Sequence, residues 1–388
     1  EDFGGAVQWG VTVGDDRSDL LQAFQTAGQR ADVVIVNGGL GPTVDDLSQE
    51  VAAQAAGVGL VFHEEWLSRM EEFFTRRGRR MPPNNQKQAM LPEGAEIIDN
   101  PIGTACGFAM DIGTARFYFT PGVPREMQRM IEDEILPRMV ARSGSRTVIH
   151  LKRFHSFGLG ESHVDQLLLG VESLVPDGSL KLGFRAHYPQ LETKLTIRGS
   201  DLSEIRAKLA PVELEVRNRI GNFIIAEDDE TLEGVILAGL LERKSSLAVV
   251  ETLTGGRISG RLVPLSGAEA VFRRGTISRH LPEIYAALGI VGAPPVGTIT
   301  PEIAETVAEA ARQQAGATHA LAVLVEMEEG ASRSDLSGAV YLAVATGQEV
   351  VSRQSRLTGG RDWVCLGAVE MGLDSLRRHL QGLPLRER

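Results

Sequence analysis

The segment 33-VVIVNGGLGPTVDDLSQE-50 joins a β-branched run, a glycine loop and a group of acidic residues. The run Val33–Val36 has the length and branching of a strand buried on both faces, which predicts a layered α/β domain. Gly38, Gly39 and Gly41 follow, and glycine adopts backbone angles that bring bare N–H groups up to an anion. The segment therefore predicts a strand, a sharp turn and a helix over Asp46–Ala56.

The acidic residues Asp45, Asp46 and Glu50 stand where the chain enters that predicted helix. Carboxylates at such a position either complement the helix dipole or hold a hard cation against a phosphate. Thr43 either donates a hydrogen bond to phosphate or caps the helix. For a glycine loop alone, an ordinary strand–turn–helix joint is the commoner explanation, so the loop needs support from other parts of the chain.

That support comes from three motifs in order. GGLGPTVDD resembles the signature of the competence/damage-inducible protein A (CinA) family, whose first domain is related to molybdopterin-binding domains. Two further segments, Met81–Phe108 and Thr120–Met127, resemble the next family blocks at the expected spacing. The resemblance implies a three-layer α/β first domain, a small α+β middle module and a C-terminal α/β domain, and we place these at residues 1–143, 146–222 and 226–388.

Length and composition suit a cytoplasmic, multi-domain protein. The 388 residues allow two or three domains that each bury a core, and the two distant cysteines indicate a reducing compartment. The net charge of −11 argues against a broad nucleic-acid surface and leaves room for local basic clusters. No apolar run approaches a membrane span of about 20 residues, and the start lacks a signal-peptide pattern. Because the family resemblance begins in mid-domain, we expect the chain to lack the family's first strand and helix.

Strands that alternate with helices predict a parallel sheet in the first domain, with the glycine loop at the carboxyl end of a strand. A strand at Ala115–Thr120 runs into Pro121, Gly122 and Pro124, so we expect two special loops to face one crevice. The other predicted elements of this domain are a strand at Ala6–Val13, a helix with Leu20, Phe24 and Ala27 on one face, and a helix at Glu64–Arg77.

Within the middle module, 157-FGLGES-162 resembles the start of the family's middle domain. Its glycines predict a strand-to-helix turn, and we assign the module a spacer or dimerisation role in a homodimer. Its predicted strands are Thr147–Phe154, Leu180–Tyr188 and Leu191–Arg198, and its predicted helices are Glu161–Leu169 and Leu202–Arg219. In the C-terminal region we predict strands at Ser246–Val250, Ala320–Val325, Gly338–Ala345 and Glu349–Arg356, a helix capped by Thr300, and a last helix at Arg361–Leu380.

The resemblance implies that the first domain splits ADP-ribose into AMP and ribose 5-phosphate with a divalent metal such as Mg²⁺, Mn²⁺ or Co²⁺. Asp45 and Asp46 are then the metal ligands and, with Lys87, the catalytic residues, although Lys87 is equally well read as a solvated lysine on a helix. The other expected substrate-binding residues are Gly38, Gly39, Gly41, Thr43, Asn100, Gly103, Thr104, Gly122 and Glu126. For Glu126 the alternative is a carboxylate favoured by a helix dipole.

A second family site shows lost residues. ETLTGG, with Glu251, Thr254, Gly255 and Gly256, and LTGGRD, Leu357–Asp362, resemble blocks of a C-terminal domain that deamidates nicotinamide mononucleotide. Where the family has a glycine and two serines, this chain has Gly267, Ala268 and Glu269. Where the family has a tyrosine and a lysine, we align Arg279 and Ile284. The segment Glu326–Glu329 replaces a family loop that contains Ala-Gly-Pro. Alanine and isoleucine supply neither a nucleophile nor an oxyanion donor, so we expect this site to be inactive.

Three alternatives to the pyrophosphatase stay open at this point. The chain is a non-catalytic nucleotide-binding or scaffold protein connected with competence or DNA repair, an active nicotinamide-nucleotide amidohydrolase, or a binder of pterin nucleotides. The basic run Arg76–Arg80 either meets an anion or forms a solvated helix end.

Overall fold

The structure is a computed structural model that describes residues 7–143, 148–292, 299–328 and 337–385. The chain divides into two compact units, Glu1–Thr147 and Val148–Arg388. Among the described residues, no helix is long and apolar enough to cross a membrane.

The first unit is built around a mixed four-stranded sheet. Its helices are α1 (Arg17–Arg30), α2 (Ser48–Ala56), α3 (Glu64–Arg76), α4 (Pro124–Met130) and α5 (Leu136–Ser143), and its strands are β1 (Val33–Asn37), β2 (Leu60–Phe62), β3 (Met90–Pro92), β4 (Glu96–Ile98), β5 (Gly107–Ile112) and β6 (Ala115–Thr120). A 3-10 helix at Pro83–Ala89 precedes β3, and β2 and β3 form a separate two-stranded ribbon. The main sheet has the order β1-β6-β5-β4, in which β1 and β6 are parallel and the other pairs antiparallel.

Both faces of this sheet are covered. Phe117 and Phe119 point to one face, where they pack on Phe24 of α1, while Tyr118 points to the other face, where it packs with Met130. All of these side chains are buried, as the alternation of side chains along a strand requires. Helices on both faces of one sheet confirm the predicted three-layer α/β fold.

Four sequence predictions for this domain were wrong in detail. The sheet is mixed and not parallel, and β1 is an edge strand among the described strands, so that Ile35 is 43% exposed instead of buried on both faces. Residues 7–13 of the predicted first strand form no strand, and Ala6 lies outside the described residues. Helix α2 begins at Ser48 and not at Asp46.

The second unit begins with a small α+β module. It contains β7 (Val148–Phe157), α6 (Glu161–Leu167), β8 (Leu180–His187), β9 (Gln190–Gly199), α7 (Leu202–Ile220) and β10 (Ile224–Glu227), with a 3-10 helix at Val171–Leu174. All pairs in its sheet, β10-β7-β9-β8, are antiparallel. Gly158 has a φ of +94° in the turn between β7 and α6, which confirms the predicted turn; Thr147 lies outside the described residues.

The C-terminal part of the second unit is a five-stranded sheet with helices on both faces. Its helices are α8 (Leu232–Glu242), α9 (Arg257–Leu262), α10 (Ala268–Val271), α11 (Leu281–Leu288), α12 (Pro301–Ala315) and α13 (Arg361–Leu380), and its strands are β11 (Leu247–Glu251), β12 (Phe272–Ile277), β13 (His319–Glu328), β14 (Ser337–Thr346) and β15 (Val350–Thr358). The order is β12-β11-β13-β14-β15, with the first three strands parallel. Thr300 caps α12 as predicted, because its hydroxyl oxygen accepts from the N–H of Ile303.

Candidate functional site

The loop after β1 turns its carbonyl oxygens into the domain. The carbonyl of Gly38 accepts from Ser48 Oγ at 2.9 Å, that of Gly39 from the Ser48 N–H at 3.1 Å, and that of Leu40 from Gln88 Nε2 at 3.1 Å. Two consecutive positive φ angles, +103° at Gly38 and +71° at Gly39, make this path accessible to glycine. Three successive peptide groups are therefore held with their oxygen atoms inward.

The N–H groups of the same loop have no such partners. Those of Gly39, Leu40 and Gly41 donate to no acceptor among the described residues. A run of unpaired backbone N–H groups with glycines in the left-handed region forms a concave nest that suits an anion. Side chains would also collide here, because a Cβ on Gly39 would lie 2.3 Å from Ser48 Oγ and one on Gly41 would lie 2.4 Å from Asp46 Oδ2.

The two aspartates belong to this loop and not to α2. Asp46 is half-buried, and its Oδ2 accepts from the Thr43 N–H at 2.8 Å and from the Thr43 hydroxyl. Asp45 is exposed, and its pKa is lowered mainly by a hydrogen bond from that same hydroxyl and then by its own N–H. One hydroxyl proton serves only one carboxylate at a time, so oxygen atoms remain open for another ligand. The N-cap of α2 is Leu47, so the alternative in which Thr43 caps the helix is wrong.

Lys87 reaches the glycine loop from the 3-10 helix. Its Nζ donates to the Thr43 carbonyl at 2.8 Å and lies 3.8 Å from Glu50 Oε1, while Glu50 also pairs with Arg17. The lysine side chain is 26% exposed. Its charge is thus placed beside the loop that carries the two aspartates.

A second loop is organised by Asn100, which is 3% exposed. Its Nδ2 donates to Glu126 Oε2 and to the Ala105 carbonyl, both at 2.8 Å, and its Oδ1 accepts from the Gly103 N–H at 3.0 Å. A Cβ on Gly103 would lie 2.1 Å from Glu126 Oε2 and 2.6 Å from Asn100 Nδ2, so a larger residue there would have to displace these side chains. The Thr104 carbonyl accepts from Trp66 Nε1 at 3.0 Å. Asn100 therefore shapes its loop from within, while Glu126 lies in the first turn of α4.

The loops after β1 and β6 adjoin. Asn37 and Thr120 are register partners at the ends of these parallel strands, and the N–H of Gly38 donates to the Thr120 carbonyl at 2.9 Å. A Cβ on Gly122 would lie 3.6 Å from the Gly38 Cα atom. The structure thus brings the two predicted loops to one edge of the sheet. Sequence reasoning missed Ser48 and Gln88, which hold the first loop.

In the glycine loop of the C-terminal domain, both oxygens of one buried carboxylate accept hydrogen bonds from the protein. Glu251 is completely buried; its Oε2 accepts from Thr254 Oγ1 at 2.7 Å and from the Ile258 N–H at 3.1 Å. Its Oε1 accepts from the N–H and the hydroxyl of Ser259, both at 2.9 Å. Gly255 and Gly256 have φ angles of +63° and +85°. Four donors to two oxygens make Glu251 the anchor of this loop and of the start of α9.

Two of the positions that we aligned with the expected deamidation site are buried here. Ala268 begins α10 and is buried, and Ile284 is fully buried in α11. Glu326 Oε2 accepts from the Ile299 N–H at 3.3 Å, and Glu329 lies outside the described residues. None of the described contacts gives these side chains a nucleophile or a free oxyanion donor.

Three family models match the chain. A probable molybdopterin binding domain matches residues 1–141, the KH domain of damage-inducible protein CinA matches residues 151–226, and the CinA C-terminal domain matches residues 229–380.

Two curated relatives match almost the whole chain. A CinA-like protein of Shewanella sediminis is 36% identical over 96% of this chain and 87% of its own length, and one of Frankia casuarinae is 38% identical over 99% of this chain and 90% of its own length. Among solved structures, the protein CinA of Thermoplasma acidophilum is 32% identical over 35% of this chain and 79% of that chain, with a TM-score of 0.32.

Proposed function

The chain belongs to the family of CinA-like proteins, and we propose that its first domain hydrolyses the diphosphate of ADP-ribose to AMP and ribose 5-phosphate with a divalent metal. The observation that carries the proposal is the glycine loop, in which three carbonyls face inward and three N–H groups lack protein acceptors beside two aspartates and a lysine. This combination suits a phosphate that carries a metal ion.

The residues present fit such an ion. Mg²⁺ is commonly held by one or two carboxylates together with substrate phosphates, and Asp45 and Asp46 would supply these carboxylates. The described residues contain no group of three or more His, Cys, Asp or Glu side chains that could hold a metal, so the substrate would complete the coordination. When bound, a divalent ion lowers the pKa of a bound water and polarises the P–O bond.

The remaining work falls to groups of this chain. The N–H groups of Gly39, Leu40 and Gly41 would bind phosphate oxygens in a fixed direction, which stabilises charge that develops during P–O cleavage. Lys87 would place its ammonium group near the leaving phosphate, and its bond to the Thr43 carbonyl holds it there. The oxygen of a water molecule would form the new bond to one phosphorus while the bridging P–O bond to that phosphorus breaks. The second phosphate would leave with the bridging oxygen, and a proton from the water would balance its charge.

The test is AMP formation by the full-length protein from ADP-ribose with Mg²⁺, Mn²⁺ or Co²⁺. We expect Asp45→Asn and Asp46→Asn to reduce turnover at least a hundredfold, whereas Asp19→Asn, an exposed aspartate in the first turn of α1, serves as the matched control. Buried Trp66 reports by fluorescence whether each variant keeps the fold of the domain. Failure of the wild type with all three metals, or equal turnover in all variants, would contradict the proposal and favour a non-catalytic scaffold.

We also propose that the C-terminal domain has lost deamidase activity. Glu251 has no oxygen left to accept a proton from a reactant, because four donors already occupy it, and Ala268 and Ile284 offer no reactive group. Release of ammonia from nicotinamide mononucleotide by the full-length protein, measured in an enzyme-coupled assay, would refute this loss.

A further inference from the structure

The sheet of the middle module has two different faces. Phe154, Leu195 and Ile197 lie on the face that packs against α6 and α7, and all three are fully buried. The opposite face carries the alternate residues of the same strands. On that face, Arg153 of β7 is the register partner of Lys194 of β9.

This opposite face is strongly basic. The three adjacent strands β7, β9 and β8 contribute five cations and one carboxylate, Glu192, to this face, although the whole chain has a net charge of −11. We call these five residues the basic face: Arg153, Lys181, Arg185, Lys194 and Arg198. The excess of four positive charges within these three strands is local, and the acidic composition of the chain leaves room for such a cluster.

Two carboxylates, Glu192 of β9 and Asp229 just after β10, occupy part of the basic face, and Asp229 Oδ1 lies 3.8 Å from Arg153 Nη1. Glu192 Oε1 lies 3.3 Å from Lys194 Nζ and 3.8 Å from Arg153 Nε. Lys181, Arg185 and Arg198 are exposed, and their side chains form no ion pair or hydrogen bond with any described residue. Three of the cations therefore keep their charge available to a ligand.

The arrangement of these cations is regular. Lys181 is the register partner of Thr196, and Arg185 is the partner of Glu192, so the charges stand in rows about 7 Å apart along the strands. Gly183 lies between the two cations of β8, and the space where its Cβ would stand is empty. A chain of phosphates that follows the strands would thus meet cations of both β8 and β9.

We propose that the basic face binds the phosphate backbone of single-stranded nucleic acid without reading its sequence. Sequence-independent binding of single strands combines positive charge along the backbone with aromatic side chains that stack on the bases, and the basic face supplies the positive charge. An anionic membrane fits less well, because the most exposed leucines of the module, Leu169 and Leu214, lie on its helical side and not on this face. Residues 148–226 contain no Gly-X-X-Gly sequence, the loop with which KH domains clamp nucleotides, so the sheet face is a separate surface.

Fluorescence anisotropy of a labelled 20-nucleotide oligothymidylate with the full-length protein tests the proposal. About four phosphate contacts to a single strand predict a slope near −3 for the logarithm of the association constant against the logarithm of salt concentration. Lys181→Gln with Arg185→Gln should weaken binding at least tenfold and make the slope shallower by about 1.4. The matched control is Arg273→Gln with Arg274→Gln, which removes two exposed charges from β12 of the C-terminal domain and should leave binding unchanged.

The proposal is overturned if the oligonucleotide does not bind at 50 mM salt, or if the control pair weakens binding as much as the pair on the basic face. It is also overturned if phosphatidylserine vesicles, but not the oligonucleotide, bind in a manner that depends on Lys181 and Arg185. Circular dichroism of both double variants shows whether the module stays folded. None of these measurements depends on hydrolysis by the first domain.

Discussion

Gly39→Ala tests whether the contact with Ser48 fixes the shape of the glycine loop. Gly39 has a φ of +71°, and an added Cβ would lie 2.3 Å from Ser48 Oγ. Gly57, at the C-cap of α2, has an almost identical φ of +72° but no atom within 4 Å of an added Cβ. The two substitutions share the backbone strain and differ in the collision, so Gly57→Ala is a matched control.

The expected magnitudes follow from that difference. Alanine in the left-handed region costs about 1 kcal/mol, which is the whole effect expected for Gly57→Ala. Overpacking against Ser48 adds about 1–3 kcal/mol, so we expect Gly39→Ala to reduce the free energy of unfolding by about 2–4 kcal/mol. Ser48→Ala alone should cost about 1 kcal/mol through its lost bond to the Gly38 carbonyl. In the double variant Gly39→Ala/Ser48→Ala, the collision is relieved and the two effects should not add.

The assay is urea unfolding monitored by tryptophan fluorescence in a background of Trp9→Phe and Trp363→Phe, so that Trp66 is the one tryptophan left. Trp66 is buried and donates a hydrogen bond to the Thr104 carbonyl, so its fluorescence reports on the fold of the first domain. The same proteins are assayed for AMP formation, where only the variants at Gly39 and Ser48 should change the rate. Equal destabilisation by Gly39→Ala and Gly57→Ala, within about 0.5 kcal/mol, would show that Ser48 does not restrict the loop and would refute the reasoning.

Three further predictions concern buried charged and reactive groups. Asp374 pairs with Arg377 at 2.7 Å and Arg378 at 2.9 Å, and all three side chains are almost inaccessible, so Asp374→Asn should lower the free energy of unfolding by about 3–5 kcal/mol in urea titrations. Burial, and after it the charges of His379 and Arg243, lowers the pKa of His319 from 6.5 to about 4. Between these two pH values the unfolded chain binds more protons than the folded chain, so the free energy of unfolding should fall as the pH drops from 6.5 to 4, by about 2 kcal/mol after allowance for solvent screening. His319→Gln should flatten this pH profile. Burial raises the pKa of Cys106 to about 12, so iodoacetamide at pH 8 should label it only after the first domain unfolds, which mass spectrometry of labelled peptides would detect.

Many helices and strands could be predicted from the sequence, because hydrophobic periodicity and capping residues lie within the element that they predict. The periodicity of Arg361–Leu380 and the Thr300 cap need no knowledge of other elements, and both agree with the structure. The burial of Val33–Val36 was wrong because an apolar run looks the same in a central strand and at an edge. Residues 7–13 show the same limit: they have strand-like composition, but no described strand pairs with them.

The candidate site was only partly readable for a related reason. Glycines and aspartates have few alternatives in a turn, so the loop of Gly38, Gly41 and Asp46 attracts attention in the sequence. Ser48 and Gln88 carry no such signal, because a serine at a helix start and a glutamine in a 3-10 helix are ordinary. Their role arises from contacts over 10 and 48 residues of chain, which fix the loop carbonyls.

The two glycine loops of this chain show that the number of hydrogen-bond donors around a carboxylate separates a structural carboxylate from one with oxygens open to a ligand. Glu251 receives four hydrogen bonds on two oxygens in a fully buried place, which satisfies the acid and leaves it nothing further to bind. Asp45 and Asp46 share one threonine hydroxyl, and Asp45 is exposed. Under the proposed function, such a carboxylate beside the N–H groups of Gly39, Leu40 and Gly41 would bind a metal ion that is held against a phosphate. The same glycine-rich design thus serves structure at Glu251, whereas at Asp45 it leaves binding capacity for a ligand.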